Sequence, residues 1–330
     1  MSAIDKLAAG TMFLIFLHLA AGAHAQLAPI KISYATTSGI RLPLWIADEA
    51  KLYEKYGLDA KLINIPSGNT AISALVSGEV DIISGSGSAS IVAAGRGLPV
   101  VIIGSFGSTI YKLVANPGVT DLRGKVVGTS RIGSTTDFGL RRALSRLGLT
   151  PDKDVKILAT GIGEADKRIM LMLQGRMDGT IGSPESILAA ETQAKVKLEI
   201  LADLEDMKIY NTVGDLSTRT DFLKSRRDLL RAFFMASAEA IALGKKNKPL
   251  VLKVIAKQMK VTDRKRLDVI YEASLGKMRS KPYAREEAVQ LELESIAFTD
   301  AAFKNKKPAD FMDSSIVAEL DRKGFFAKIQ

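Results

Sequence analysis

"AISALVSGEVDIISGS" (residues 71–86) and "RIMLMLQGRMDGTIGS" (residues 168–183) can be written one above the other. Ile72 then meets Ile169, Leu75 meets Met172, Val76 meets Leu173, Gly78 meets Gly175, Asp81 meets Asp178, and Gly85-Ser86 meets Gly182-Ser183. In both stretches apolar residues recur at i, i+3 and i+4, the spacing of one helix face, and a glycine follows where a left-handed C-terminal cap is needed. The residues after the glycine read as a strand, and a Gly-Ser turn ends it. A helix, a cap, a strand and a turn recurring in that order mark two copies of one supersecondary unit in an α/β chain.

The repetition extends upstream. "KISYATTSGIRLPLWIADEAKLYEKYGL" (31–58) reads strand, Thr/Ser turn, helix, with Pro43 in the first helical turn, where its missing N–H costs nothing, and Gly57 at the end. "KVVGTSRIGSTTDFGLRRALSRLGL" (125–149) repeats that plan and closes on Gly148. Each copy is then strand, helix, strand, helix, strand. The Ser-, Thr- and Gly-rich turns fall at 36–41, 67–69 and 84–88 in the first copy and at 130–136, 161–166 and 182–186 in the second. In open parallel sheets such turns emerge at the carboxyl ends of the strands, the edge where ligands bind. Two lobes facing each other along these edges would enclose a cleft.

The chain opens with Lys6, the apolar run "LAAGTMFLIFLHLAAG" and then "AHAQ", in which Ala23 and Ala25 flank His24 in the spacing a signal peptidase cuts after. Residues 1–25 are therefore expected to be a cleaved signal peptide, the apolar run being shorter than the ~20 residues that span a bilayer. Without cysteine there is neither a lipid-anchored cysteine nor a disulfide, so the mature chain is expected to be exported and soluble. Its length suggests two domains with proper cores. The net charge of +10 survives cleavage, because Asp5 and Lys6 cancel. The basic clusters "KSRR" (224–227) and "GKKNK" (244–248) adjoin amphipathic helices and read as solvated faces, so no nucleic-acid partner is expected.

Both histidines, His18 and His24, lie in the expected leader. A mature chain without histidine or cysteine excludes Ser-His-Asp and Cys-His catalysis, thiolate redox chemistry and ordinary zinc sites, and no metal or cofactor is expected. An enzyme would need a carboxylate base such as Asp137, Glu164 or Glu185, but no paired acid and base stand out; the chain is read as not an enzyme. A nucleotide reading of Gly85-x-Gly87 fails too. Ser90 stands where the third glycine belongs, Asp121 is too distant for the ribose acid, and no Gly-Lys-Ser/Thr follows. From about Asp221 onward the sequence is a series of helical patterns that read mostly as packing elements.

"LPLWIADEAKLYEKYGLDAKL" (42–62), "LVSGEVDI" (75–82), "DLRGKVVG" (121–128) and "FMDSSIVAEL" (311–320) together resemble the periplasmic substrate-binding proteins of ABC importers, in the NMT1/THI5-like group that includes sulfonate, taurine and nitrate binders and proteins similar to thiamine-pyrimidine synthesis enzymes. The resemblance implies a two-lobed periplasmic binding protein of type II, a clamshell in which each lobe is a mainly parallel sheet flanked by helices. Residues 26–115 and 213–330 would form the first lobe with its C-terminal helices, and residues 116–212 the second. It implies a monomer in the periplasm that captures a small organic anion, a sulfonate or carboxylate, and delivers it to an ABC permease and ATPase complex at the inner membrane. The alternatives are a thiamine-precursor-like pyrimidine or aromatic solute, and a solute receptor for another importer or a sensor. One relative makes the thiamine pyrimidine from an active-site histidine; without a mature histidine that activity is not carried over.

By the same resemblance the ligand contacts come from Thr36 to Arg41, with Thr37, Ser38 and Arg41 foremost, then from Ser67 and Asn69, and from Ser84, Ser86 and Ser88. The second lobe offers Arg131, Ser134, Thr135, Ser183 and Glu185, and the return crossover Asn211 and Thr212. Backbone N–H groups at helix starts suit an anion, each favourable site contributing about 0.3–1 kcal/mol. A micromolar ligand needs about 8 kcal/mol, so both lobes must contribute, which favours closure around the ligand. Arg41 and Arg131 either grip a carboxylate or sulfonate through two parallel hydrogen bonds or are turn arginines on the surface. Trp45 either stacks on an aromatic ligand or belongs to the core, and Phe106, Tyr111 and Tyr210 are further cleft aromatics. Glu185 in "GSPES" would repel an anion if it faced the cleft; otherwise it binds a ligand amine, caps the following helix or points away. Its presence argues against a simple anion such as nitrate or sulfate.

Overall fold

The structure, a computed structural model, describes residues 26–35, 37–108 and 111–330; the expected leader at residues 1–25 and Thr36 lie outside the described residues. The first copy of the repeat forms β1 (Ala28–Tyr34), α1 (Leu42–Glu49), α2 (Leu52–Lys55), β2 (Leu58–Asn64), α3 (Gly68–Ser77), β3 (Ile82–Ser84), α4 (Gly87–Gly95) and β4 (Val100–Ser105). After β5 (Lys112–Ala115) the second copy forms β6 (Val126–Thr129), α5 (Thr135–Arg146), β7 (Lys156–Ala159), α6 (Ala165–Leu173), β8 (Gly179–Gly182), α7 (Pro184–Ala194) and β9 (Glu199–Asp203). β10 (Asp215–Arg219) then leads into α8 (Thr220–Ser225), α9 (Arg227–Lys246), α10 (Lys248–Met259), α11 (Arg264–Ala273), α12 (Glu286–Thr299), α13 (Ser315–Arg322) and α14 (Phe325–Lys328).

The strands make two sheets of five, in the orders β2-β1-β3-β10-β4 and β7-β6-β8-β5-β9. Each copy thus keeps its own four strands in the same order and accepts one antiparallel strand from the crossing chain, β10 in the first lobe and β5 in the second. Lys112–Ala115, assigned to the first lobe on sequence, is therefore a strand of the second sheet, with Leu113 opposite Ile181 and Ala202. The outward crossing falls between Ser105 and Lys112. An apolar run shows that a strand exists, but not which sheet receives it.

The aligned residues of the repeat have matching jobs. Gly78 (φ +80°) and Gly175 (φ +79°) take the left-handed conformation that ends α3 and follows α6, where a side chain would be strained. Asp81 accepts the Lys31 N–H at 2.8 Å and Asp178 accepts the Val126 N–H at 2.9 Å, so each carboxylate ties the entry of its β-strand to the lobe's first strand.

Beyond β10 the helices cover the first lobe. α9 packs on α1, joining Phe233 and Phe234 to a core that contains Trp45. Trp45 is 1% exposed and meets Tyr34 edge-on, centroids 5.9 Å apart, so of its two readings the core one holds. α11 also reaches across and packs on α7 of the second lobe. Among the described residues no helix is long and apolar enough to cross a membrane, and no group of three or more His, Cys, Asp or Glu side chains is placed to hold a metal ion.

Candidate ligand-binding cleft

The β-to-α turns lie where the repeat places them, and several of their hydroxyls are committed to the helices they precede. Ser67 caps α3 by accepting the Thr70 N–H, and Ser134 caps α5 by accepting the Asp137 N–H, both at 3.3 Å. Ser134 also donates to the Arg131 carbonyl at 2.6 Å. The Ser183 hydroxyl lies 3.0 Å from that of Ser186 in the first turn of α7. The Ser67 and Ser134 caps each satisfy an N–H that the helix terminus would otherwise leave open.

The two crossing segments touch backbone to backbone. Phe106 N–H donates to the Gly214 carbonyl at 2.9 Å, and the Ser108 hydroxyl both donates to the Asn211 carbonyl at 3.0 Å and accepts its N–H at 3.1 Å. A Cβ on Gly214 would lie 1.9 Å from the Gly107 oxygen, and Gly107 itself has φ +118°. Gly214 must lack a side chain for the segments to pass this closely, while Gly107 has room for one but a backbone conformation that favours glycine; we call the contact between the two crossings the pivot.

Behind the pivot, Arg41 is fully buried. Its Nη1 donates to Ser84 Oγ at 2.9 Å and its Nη2 to the Val213 carbonyl at 2.7 Å. The guanidinium thus fastens the end of β3 to the return crossing, and Gly85 must lack a side chain because a Cβ there would lie 2.4 Å from Nη2. Burial brings the Arg41 pKa down to about 10, against the pull of Asp215. Asp215, equally buried, is pushed up to about 8 by desolvation, with the Ser105 hydroxyl opposing.

Among the cavities that open between the lobes, two adjoin the crossing segments. The first, about 40 Å³ and partly open to solvent, takes Ser38 and Ile40 from the first lobe, Phe106 from the pivot, Glu185 from the second lobe, and Arg279 and Arg285 from the segment between α11 and α12. The second, about 20 Å³, lies between Thr135 and Arg142 of α5, Tyr210 and Asn211 of the return crossing, and Glu292 of α12. Glu292 is buried, accepts from the Thr212 hydroxyl at 3.0 Å, and is raised above the usual carboxylate range by desolvation, with Ser88 and Thr212 hydrogen bonds opposing. Across the same gap Arg142 bonds Glu294 at 2.5 Å and Lys277 bonds Glu205 at 3.1 Å, so the lobes are held in contact.

The expected site residues divide accordingly. Ser38 and Glu185 line the first cavity and Thr135 the second, while Ser88 and Thr212 reach the second through Glu292. Thr37, Ser67, Asn69 and Arg131 are exposed and line neither. Ser86, half-buried with φ +61°, stands beside Gly68 at the head of α4. Ser183 is buried, and Arg41 points away from both cavities into the floor. Phe106 lines the first cavity, Tyr111 and Tyr210 the second. Of the carboxylates weighed as bases, Asp137 is taken by Arg141 and the Gly133 N–H, and Glu164 by Lys167. Glu185 faces the cleft, its carboxyl raised by desolvation while its own N–H and the Ser183 hydroxyl oppose.

Sequence reasoning missed Arg279, Arg285 and Glu292; the last two lie in a pattern that reads as packing (285–298), and Arg279 lies in the connection before it. It also missed Arg168. That buried guanidinium donates to the carbonyls of Ile162, Gly163 and Ile181 at 3.0, 2.6 and 3.0 Å, holding the turn after β7 against β8. The available signal was an arginine beginning an apolar helix face where the first copy has Ala71.

The protein-family model described as NMT1/THI5 like matches residues 41–247, more than half of the chain. No curated protein matches. Among solved structures, the periplasmic aliphatic sulphonate binding protein SsuA from Escherichia coli is similar at 20% identity and TM-score 0.68, over 86% of this chain and 92% of that one. The alkanesulfonate-binding protein SsuA from Xanthomonas axonopodis pv. citri, bound to MOPS, gives 17% and 0.61 over 88% and 97%. The periplasmic nitrate-binding protein NrtA from Synechocystis PCC 6803 gives 15% and 0.62 over 92% and 88%. At these identities the likeness is one of fold.

Proposed function

The chain belongs to the NMT1/THI5-like family, and from that premise we propose that it is an extracytoplasmic solute-binding protein, capturing a small organic anion between its lobes and delivering it to an ABC importer. The observation that carries this reading is the first cavity, whose walls come from both lobes and whose back is the glycine pivot. A solute there touches Ser38 and Ile40 on one side and Glu185 on the other, so it gains its full contact only when the lobes are together. Binding energy then selects the closed form, and an importer that recognises the closed form receives loaded protein. The names of the similar structures, sulphonate-, alkanesulfonate- and nitrate-binding, support the anion class.

The test is a thermal-shift panel of aliphatic sulfonates, aromatic carboxylates, nitrate and pyrimidines, with mass spectrometry of the purified protein for carried-over solute. A ligand at about 100 times its Kd adds about 2.7 kcal/mol to stability, a readily measured rise in Tm. An organic anion is expected to give it. No shift from any compound, together with no bound solute, would refute the reading.

A further inference from the structure

Arg279 and Arg285 differ from the other cleft cations. Arg142 is paired with Glu294 and Lys277 with Glu205, whereas among the described residues neither Arg279 nor Arg285 has a carboxylate within 4.0 Å. Both line the first cavity. Arg279, on the rim, donates to the Tyr283 carbonyl at 3.1 Å. Arg285, half-buried, lies over the Tyr210 ring at 4.1 Å from its centroid, and its Nε is buried without a partner. The Arg279 pKa is lowered by burial and then by the like charge of Arg285, with Glu287 and Tyr210 opposing.

Two guanidinium groups that bear on one another repel, the charge of Glu287 offsets this only in part, and stacking on an aromatic face orients a cation without neutralising it. An anion placed between them relieves that repulsion and can take parallel hydrogen bonds from a guanidinium. The second lobe contributes Glu185 to the lining, where Arg266 also bears on its carboxyl. A solute bearing only negative charge meets this carboxyl, and one bearing only positive charge meets the arginines.

We propose that the first cavity is a two-ended site in which Arg279 and Arg285 receive the anionic head of the solute and Glu185 receives an ammonium or N–H group at its other end, so that the preferred ligand is amphoteric. All three side chains determine specificity, and two of them come from beyond residues 41–247, the part of the chain the family model matches. This inference rests on the reading of the cavity as the solute site.

Calorimetric titration of the mature protein with butanoate, butanesulfonate, 4-aminobutanoate, 4-aminobutanesulfonate and butylamine tests it. Each amino acid of the set should bind about tenfold tighter than its plain anion, with butylamine weakest. Arg279→Gln and Arg285→Gln should each weaken both kinds of anion by about tenfold. Glu185→Gln should bring the amino-to-plain ratio to about one. That ratio is measured within a single variant, so it is insensitive to loss of folded protein; unliganded melting checks the arginine variants. Equal affinity for amino and plain anions, an unchanged ratio in Glu185→Gln, or unchanged binding in both arginine variants overturns the inference. If none of the five binds while another compound of the wider panel does, the inference fails and the solute-binding reading stands. If nothing in either set binds and no solute is carried over, the reading itself fails.

Discussion

In the first lobe the crossing strand β10 enters the sheet with Asp215 opposite Ser105; in the second, β5 enters with Lys112 opposite Asp203. The two positions are equivalent in the repeat, and their charges are opposite. Lys112 bridges Asp203 at 2.7 Å, and although burial works the other way, that bond holds Asp203 below its usual range. Among the described residues Asp215 has no Lys or Arg within 4.0 Å; it is fully buried and is pushed up to about 8 by desolvation, with the Ser105 hydroxyl and the charge of Arg41 opposing. The backbone plan was duplicated and the chemistry was not. The same holds for the arginines behind the turns: Arg168 bonds three carbonyls of its own lobe, while Arg41 bonds one hydroxyl and the carbonyl of the return crossing. One secures a lip, the other ties a lip to the pivot.

The largest effect expected from this contrast concerns those arginines. A buried acceptor left without a donor costs about 1–3 kcal/mol, so Arg168→Met should lose at least about 3 kcal/mol in urea unfolding and Arg41→Met about 2 kcal/mol. A greater loss at Arg41 would break the comparison.

Next comes pH. Between the ordinary aspartate value of 3.8 and about 8, the folded chain keeps a proton on Asp215 that the unfolded chain releases, so stability is greatest at low pH on this account and falls as pH rises through that window. Asp215→Asn should therefore gain on the wild type from pH 5 to pH 8, by about 3–4 kcal/mol. Parallel stability curves for the two proteins would contradict the buried, protonated assignment.

The smallest effect is at the lobe seam. Arg142 and Glu294 are 32% and 48% exposed, so solvent screens them, and a double-mutant cycle should give a coupling below about 1 kcal/mol. A larger value would mean that the seam, rather than the ligand, holds the lobes together.

Much of this architecture could be read directly from residue order. Aligning Gly78 with Gly175 and Asp81 with Asp178 exposed the repeat, and those residues do the same work in both lobes because caps and strand ties act within one unit. The cleft was harder. Thr135, Ser38 and Glu185 were placed on its turns from the repeat alone, but whether a turn hydroxyl faces ligand or caps its own helix, as Ser67 and Ser134 do, is settled by a rotation of one side chain. Glu292, Arg279 and Arg285 carried no local mark: Glu292 sits on a helix with the same amphipathic spacing as those that only pack, and the two arginines sit in the connection before it.

Periodicity, capping residues and turn composition act over a few neighbouring positions, and so the amino-acid order alone determined two α/β units, their element order and the edge on which their turns gather. The partners across long separations were decided by the tertiary structure. Arg41 meets Val213 across 172 positions, Arg142 meets Glu294 across 152, and Thr212 meets Glu292 across 80. Those pairings depend on where a crossing strand inserts and on which lobe the last helices cover. Burial and charge matching between distant segments fix both, and neither leaves a trace in the spacing of adjacent residues.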